Sequence, residues 1–173
     1  MICESFPPVC SPQARVLIVG TMPSVKSLAE QQYYAHPRNA FWPILFEVFS
    51  REKTDDYPQK KRLIVDNRLA LWDAARACER EGSLDSAMRE IEYNDFAALF
   101  AQCPGIHTVL CNGGTAHTLF MKTGCAGGKT VLRMPSTSPA YTLSYEKKLA
   151  AWKAALENAL GLPPQTPTRD FIP

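Results

Sequence analysis

The chain has 173 residues, 46% of them apolar and 21% charged, which is typical of one ordinary globular domain. Its 19 basic and 17 acidic residues leave a net charge of +2, which excludes an avid, non-specific polycation but allows a local basic face. No apolar run approaches the roughly 20 residues that span a bilayer, and the polar, Pro-interrupted start of the chain is unlike a secretory signal. We therefore predict a cytoplasmic protein with no membrane partner and a single domain over residues 1–173.

Short apolar runs alternate with amphipathic stretches along the chain. The apolar runs predict four strands, at residues 15–19, 69–72, 106–111 and 130–134. Helical spacing of apolar residues predicts helices at 40–50, 58–67, 94–102, 115–122 and 144–160. We expect the core over about residues 15–160, with an irregular N-terminal segment 1–14 and an irregular Pro-rich tail 161–173.

The cysteines and histidines are scattered: Cys3, Cys10, Cys78, Cys103, Cys111, Cys125, His36, His107 and His117. No two cysteines form a C-x-x-C pair, which argues against a zinc or iron–sulfur site, and a disulfide framework is not expected without a secretory context. We expect free thiols, no metal and no cofactor.

Alternating strands and helices predict an α/β fold with three layers, α/β/α, around a central four-stranded parallel sheet. Ligand sites of such folds lie at the carboxyl ends of the strands. The loops at these ends are residues 20–24, 72–73, 112–114 and 134–140, where glycine, proline and small polar residues let backbone approach a ligand. Ordinary turns use the same residues, so the four loops together are more informative than any one.

These loops resemble the uracil-DNA glycosylase superfamily. Gly20-Thr-Met-Pro-Ser24 is similar to its first motif, G-x-x-P-[GS], and Met134-Pro-Ser-Thr-Ser-Pro-Ala140 is similar to its second, a Pro-Ser-rich loop that enters the DNA minor groove. Tyr34-Ala-His-Pro-Arg-Asn-Ala-Phe-Trp42 is similar to the segment after the first motif in mismatch-specific uracil glycosylases. With Leu71-Trp-Asp73, Cys78-Glu-Arg-Glu-Gly-Ser-Leu-Asp85 and Asn112-Gly113, the ordered set most resembles the hypoxanthine-DNA glycosylase branch, from about Arg15 to Leu160.

Two positions depart from the superfamily's pattern. Many members have a catalytic Asp or Asn where this chain has Met22, and several have a histidine where it has Met134. In the hypoxanthine branch the catalytic amide is instead the asparagine of the His-Pro-Arg-Asn segment, which here is Asn39. An amide does not titrate, so Asn39 would orient the attacking water through its carbonyl oxygen; its alternative role is to cap the following helix.

The resemblance and the chemistry of the base together predict a base-binding set: Thr21, Met22, Pro23, Tyr34, His36, Trp72, Asp73 and Asn112. Hypoxanthine presents O6 as an acceptor and N1–H as a donor, whereas adenine reverses both. An Asn112 amide that donates to O6 and an Asp73 acceptor for N1–H would therefore select hypoxanthine. We expect Tyr34 to stack on the base and Phe41 to pack in the core. The alternatives are a turn asparagine, a helix-capping aspartate and a loop-ordering histidine.

The charge distribution predicts a DNA-binding face. Residues 121–153 carry six basic side chains against Glu146 alone, whereas residues 66–95 carry eight acidic and four basic side chains. The basic stretch contains the Pro-Ser-rich loop, whose hydroxyls and N–H groups can bind phosphates and whose tip can wedge into the minor groove. The predicted DNA-binding residues are Ser24, Ser136, Thr137, Ser138, Pro139 and Ala140. A solvated helix face is the alternative for the lysines of the last helix.

We therefore predict a monofunctional, monomeric DNA glycosylase of base-excision repair. It would flip a deaminated base, chiefly hypoxanthine (deoxyinosine), out of DNA and hydrolyse its glycosidic bond. The four loops contain no lysine, so no Schiff-base lyase step is expected. The alternatives are a uracil, xanthine or mismatch-specific glycosylase and a non-catalytic damaged-DNA-binding module. A small-molecule hydrolase using Ser136 or Ser138 is disfavoured, because no histidine–acid partnership is visible.

Overall fold

The computed structural model of the protein describes residues 1–163, so most of the predicted tail lies outside the described residues. The strands are β1 (Ile2–Glu4), β2 (Val16–Gly20), β3 (Leu69–Asp73), β4 (Ala75–Glu79), β5 (Arg89–Tyr93), β6 (Thr108–Asn112) and β7 (Thr130–Met134). The helices are α1 (Val25–Glu30), α2 (Phe41–Val48), α3 (Tyr57–Asp66), α4 (Phe96–Gln102), α5 (Gly114–Lys122) and α6 (Tyr145–Leu160).

Strands β2, β3, β6 and β7 form one parallel sheet in the order β3-β2-β6-β7. The register places Gly20 beside Asp73 and Asn112 beside Met134, so the carboxyl ends of all four strands meet at one edge. Helices cover both faces of this sheet. The predicted three-layer α/β fold is confirmed, and the four predicted strands agree with the observed ones to within about two residues.

Each face of the parallel sheet carries its own hydrophobic core, because alternate residues of a strand point to opposite faces. Leu17 and Val19 of β2 belong to the core that includes residues of α4 and α5. Val16 and Ile18 belong to the core that includes residues of α2, α3 and α6, where Trp152 is fully buried. Packing on both faces holds the carboxyl edge of the sheet in place.

A second sheet, antiparallel and ordered β1-β4-β5, is not predicted by the sequence. It corrects the expectation that residues 1–14 are irregular, because β1 pairs with β4 and Cys3 lies opposite Cys78. Strand β1 has only three residues and β5 is largely polar, so neither gives the apolar run that predicts a strand. The segment between β4 and β5 folds against loop 20–24, where the backbone N–H of Val25 donates to Ser83 Oγ (2.9 Å).

Helix α1 is also absent from the sequence prediction, since six residues are too few to show a helical period. The other helices agree closely with expectation, and α6 begins after its cap Ser144 and ends at Gly161, which has a left-handed φ of 66°. All six cysteines lie within the described residues and are free thiols. Within residues 1–163, no helix is both long enough and apolar enough to cross a membrane.

Candidate active site

A cavity of about 510 Å³ opens at the carboxyl edge of the parallel sheet. Of the residues predicted for the site, it is lined by Thr21, Met22, Pro23, Ser24, Tyr34, His36, Asn39, Asp73, Asn112, Ser136, Thr137, Ser138, Pro139 and Ala140. The rule that ligands bind at the carboxyl ends of parallel strands therefore places these loops correctly. The predicted roles of the residues remain predictions.

Trp72 is the exception, and the structure corrects its predicted place in the site. The side chain packs edge-to-face on Phe96, with ring centroids 5.3 Å apart, and its indole N–H donates to the carbonyl oxygen of Phe6 (3.0 Å). The neighbouring Asp73 lines the cavity. Successive side chains of a strand point to opposite faces, so a strand that aims Asp73 at the cavity turns Trp72 away from it.

Asp73 and Tyr34 form the buried floor of the cavity beside Gly20. A Cβ on Gly20 would overlap the Asp73 carboxylate and lie 2.7 Å from the Tyr34 hydroxyl, so this position has room for glycine only. Asp73 is 3% exposed. Within residues 1–163, Asp73 Oδ2 has no hydrogen-bond partner, whereas the Tyr34 hydroxyl interacts with the Asn112 side-chain amide, which opposes the rise in its pKa that burial causes. Buried polar atoms without partners are rare and indicate a place where a ligand supplies them.

The environment of Asp73 changes its ionisation. Burial raises the pKa of this carboxyl to about 7, the nearby Arg80 guanidinium opposes the rise, and Asp85 adds to it. Arg80 is itself buried and donates to the carbonyl oxygen of Pro23, so it also holds loop 20–24. Asp73 is therefore an acid that changes charge near neutral pH in the wall of the cavity.

Asn112 holds the Pro-Ser-rich loop, residues 134–140. Its Nδ2 donates to Thr137 Oγ1 (2.9 Å), and the Thr137 backbone N–H donates to Asn112 Oδ1 (2.9 Å). Thr137 is only 1% exposed, which corrects its predicted placement on the DNA surface: its side chain anchors the loop from within. The Asn112 side chain also interacts with the Tyr34 hydroxyl, and its Oδ1 keeps one further lone pair for a ligand.

The Pro-Ser-rich loop is braced from two more sides. Lys148 of α6, which is 4% exposed, donates to the Ser138 carbonyl oxygen (2.9 Å), and the Trp152 indole donates to that of Pro135 (2.9 Å). The backbone N–H of Ala40 donates to the Thr137 carbonyl oxygen (3.0 Å). These bonds leave the tip at residues 139–140 exposed.

Asn39 lies half-buried at the cavity wall, just before α2. The N-cap of α2 is Ala40, which corrects the predicted cap at Asn39 by one residue. Asn39 Oδ1 nonetheless accepts the backbone N–H of Phe41 (2.9 Å), which fixes the orientation of the amide. A carbonyl oxygen has two lone pairs, so one remains available. The ring of His36 is held in the same turn, where its Nδ1 accepts the Arg38 N–H (3.1 Å).

Tyr34 lines the cavity, and its predicted stacking on the base stays a prediction. Its backbone has a left-handed φ of 55°, and its ring packs on Phe41 with centroids 4.1 Å apart and planes at 32°. Phe41 is a buried core residue, as predicted. One face of the Tyr34 ring is thus covered by protein, and the hydroxyl end reaches the cavity floor.

Asp85 lies in the cavity wall, although the sequence predicts no role for it. Its Oδ1 accepts the Thr21 hydroxyl (2.9 Å), and burial raises its pKa from the usual value. The segment from Cys78 to Asp85 contributes to the family resemblance, and this was the available signal. Within residues 1–163, no group of three or more His, Cys, Asp or Glu side chains is placed to hold a metal ion.

The chain is similar to known proteins in both sequence and fold. Residues 7–160 match the family model described as the uracil DNA glycosylase superfamily. A protein of Methanosarcina acetivorans named hypoxanthine DNA glycosylase is 32% identical over 159 residues, covering 91% of this chain and 100% of the relative. A protein of the same name from Methanosarcina barkeri is 29% identical over 155 residues, covering 89% and 98%. The solution NMR structure of a candidate uracil DNA glycosylase from Methanosarcina acetivorans superposes with a TM-score of 0.81 at 31% identity, covering 92% of this chain and 99% of that one.

Proposed function

The chain belongs to the uracil DNA glycosylase superfamily, as predicted, and on this premise we propose that it excises hypoxanthine from DNA. The observation that best supports this proposal is the cavity at the sheet edge, whose floor holds a tyrosine hydroxyl and a buried carboxylate with an unpartnered oxygen. Its volume lies within the range of small-molecule sites, roughly 300–1,000 Å³. A flipped base can enter this cavity while the rest of the duplex stays outside.

The proposed reaction is hydrolysis of the bond between C1′ of the deoxyribose and N9 of the base. The bond breaks with its electron pair going to the base, a water oxygen bonds to C1′, and a proton passes from the water to the departing base. Asn39 accepts a hydrogen bond from this water through its remaining lone pair and so orients the water at C1′. The bond between Asn39 Oδ1 and the Phe41 N–H supports this role, because it fixes the amide before the substrate arrives.

Recognition of the base is proposed to use the groups at the cavity floor. The ionised Asp73 carboxylate accepts N1–H of hypoxanthine, and the Asn112 amide lies in the same cavity wall. Adenine presents an acceptor at N1, so it cannot pair with the ionised Asp73 carboxylate and would leave that charge buried and unpaired. The exposed tip at Pro139 and Ala140 supports the proposal that this loop enters the minor groove, with Ser24, Ser136 and Ser138 beside it.

Duplex oligonucleotides that carry one hypoxanthine, uracil or xanthine test the proposal. After incubation with the protein, alkali converts each abasic site into a strand break that is read on a denaturing gel. We expect cleavage at hypoxanthine. No cleavage of any substrate, with binding retained, would indicate a damaged-DNA-binding module instead. Cleavage at uracil or xanthine but not at hypoxanthine would contradict the proposed substrate.

The role of Asn39 is tested in the same assay. Asn39→Ala removes the oxygen that orients the water, so we expect the single-turnover rate to fall by at least about 100-fold. Asn158→Ala, an exposed asparagine on α6, is the matched control and keeps the wild-type rate. Unchanged activity of a folded Asn39→Ala protein would reduce Asn39 to a structural residue of the turn.

We also propose that the protein acts as a monomer in the cytoplasm. Size-exclusion chromatography with light scattering, with and without duplex DNA, tests the oligomeric state.

A further inference from the structure

The hydroxyl of Tyr34 is held at the cavity floor by an unusual backbone. A bulky residue adopts a left-handed φ, here 55°, only where the surrounding structure enforces it, and such residues cluster at functional sites. Packing of the ring on Phe41 fixes the direction of the side chain. The result is a phenol aimed past Gly20, which has no side chain to obstruct it.

The hydroxyl and the Asp73 carboxylate lie near each other, and the Asn112 side-chain amide interacts with the hydroxyl. Both approach the point where Gly20 would carry a Cβ. The hydroxyl oxygen and Asp73 Oδ2 are fully buried, and Asp73 Oδ2 is unpartnered within the described residues. Burial raises the pKa of Tyr34 far above its usual value, so the phenol keeps its proton and can donate it. A donor and an acceptor therefore lie near each other at the floor of a cavity that both residues line.

We propose that Tyr34 is a specificity-determining residue whose hydroxyl donates to O6 of the flipped base while Asp73 accepts the adjacent N1–H. The inference rests on the proposed function. It adds Tyr34 as a donor to O6, a role that the sequence predicts for Asn112 alone. The pair fits a carbonyl next to an N–H, the edge that deamination creates from the amino group and ring nitrogen of adenine or cytosine. Guanine and thymine carry the same edge, and their stable pairing in the duplex opposes flipping.

Tyr34→Phe tests the donor with the smallest change. We compare duplexes that contain hypoxanthine with duplexes that contain 6-thiohypoxanthine, which keeps N1–H but replaces O6 with sulfur, a weak acceptor. The substitution should lower the single-turnover rate on hypoxanthine by about 10- to 100-fold, because O6 then lies unpaired in a buried site. It should change the rate on the thio base by less than about threefold. Equal losses on both bases, or no loss on hypoxanthine, would overturn the proposal.

Two controls separate this inference from the stability of the fold and from the proposed function. Tyr93→Phe, a partly exposed tyrosine on β5, should keep the wild-type rates. Tyr34→Phe keeps the packing of the ring on Phe41, so its thermal unfolding temperature should stay close to that of the wild type. Calorimetric binding of free hypoxanthine and free 6-mercaptopurine repeats the comparison of the two bases without excision. If the wild-type protein excises neither base but shows the expected difference in binding between wild type and Tyr34→Phe, only the proposed function is contradicted.

Discussion

Asp73 couples the stability of the protein to pH through its burial. Its pKa is raised from 3.8 to about 7 in the folded chain, so the folded state binds this proton more tightly than the unfolded state. The contribution to stability is greatest below about pH 4 and is lost as pH rises to about 7. A shift of this size corresponds to about 4 kcal/mol of the free energy of unfolding. This stability is lost as the carboxyl at the cavity floor ionises.

Asp73→Asn removes this titration and should flatten the pH dependence of stability. Between pH 5 and pH 8, we expect the free energy of unfolding to fall by about 2–3 kcal/mol less in the variant than in the wild type. Urea denaturation at the two pH values measures the difference. Asp55→Asn, at an exposed carboxylate, is the control and should behave like the wild type. An undiminished pH dependence in Asp73→Asn would show that Asp73 is not the titrating group.

Single residues also show where sequence reasoning succeeds. Asp73 and Asn112 could be assigned to the cavity because each ends a strand of a parallel sheet, which fixes its edge. The prediction that Trp72 belongs to the site was wrong. Neighbouring side chains of a strand point to opposite faces, and nothing in the sequence shows which of Trp72 and Asp73 faces the cavity. Asp85 reaches Thr21 across 64 residues, and a contact of that separation leaves no local pattern.

At the scale of elements, buried and exposed strands differ in how well the sequence predicts them. Strands β2, β3 and β6 of the parallel sheet are buried almost throughout, so their apolar runs are plain, whereas the edge strand β7 is mostly exposed and is indicated by its β-branched and apolar residues. Strands β1, β4 and β5 form a smaller sheet with many exposed positions, and β4 contains the charged Arg76 and Glu79. Their pairing depends on tertiary contacts, which local sequence patterns do not record.

The Pro-Ser-rich loop depends on a lysine that the sequence does not distinguish from its neighbour. Lys147 is exposed, whereas Lys148 is buried and donates to the Ser138 carbonyl oxygen. Lys148→Met removes that donor while filling similar space, so the backbone amides near residues 138–141 should exchange hydrogen faster. Lys147→Met is the matched control and should leave their exchange unchanged. Equal exchange in both variants would contradict the bracing role of Lys148.

At the scale of the whole molecule, the basic stretch over residues 121–153 is divided between opposite edges of the parallel sheet. Strand β7 runs toward the cavity edge, so Lys129 lies before its start, roughly 17 Å from its far end. Helix α5 starts at the cavity edge and runs away from it, which carries Lys122 about 13 Å off. Arg133 and Lys147 remain exposed near the cavity edge. The stretch therefore contributes less charge to the DNA face than its sequence suggests.

This division predicts which basic residues contact phosphates. Arg133→Gln with Lys147→Gln should weaken binding to duplex DNA and lower the slope of log Kd against log salt by up to about 2, because each lost phosphate contact removes about 0.9. Lys122→Gln with Lys129→Gln makes the same change in net charge at the opposite edge and should leave the slope as it is. Fluorescence anisotropy at roughly 50 to 200 mM KCl measures both slopes. Equal effects of the two pairs would mean that overall charge, and not this edge of the sheet, attracts the DNA.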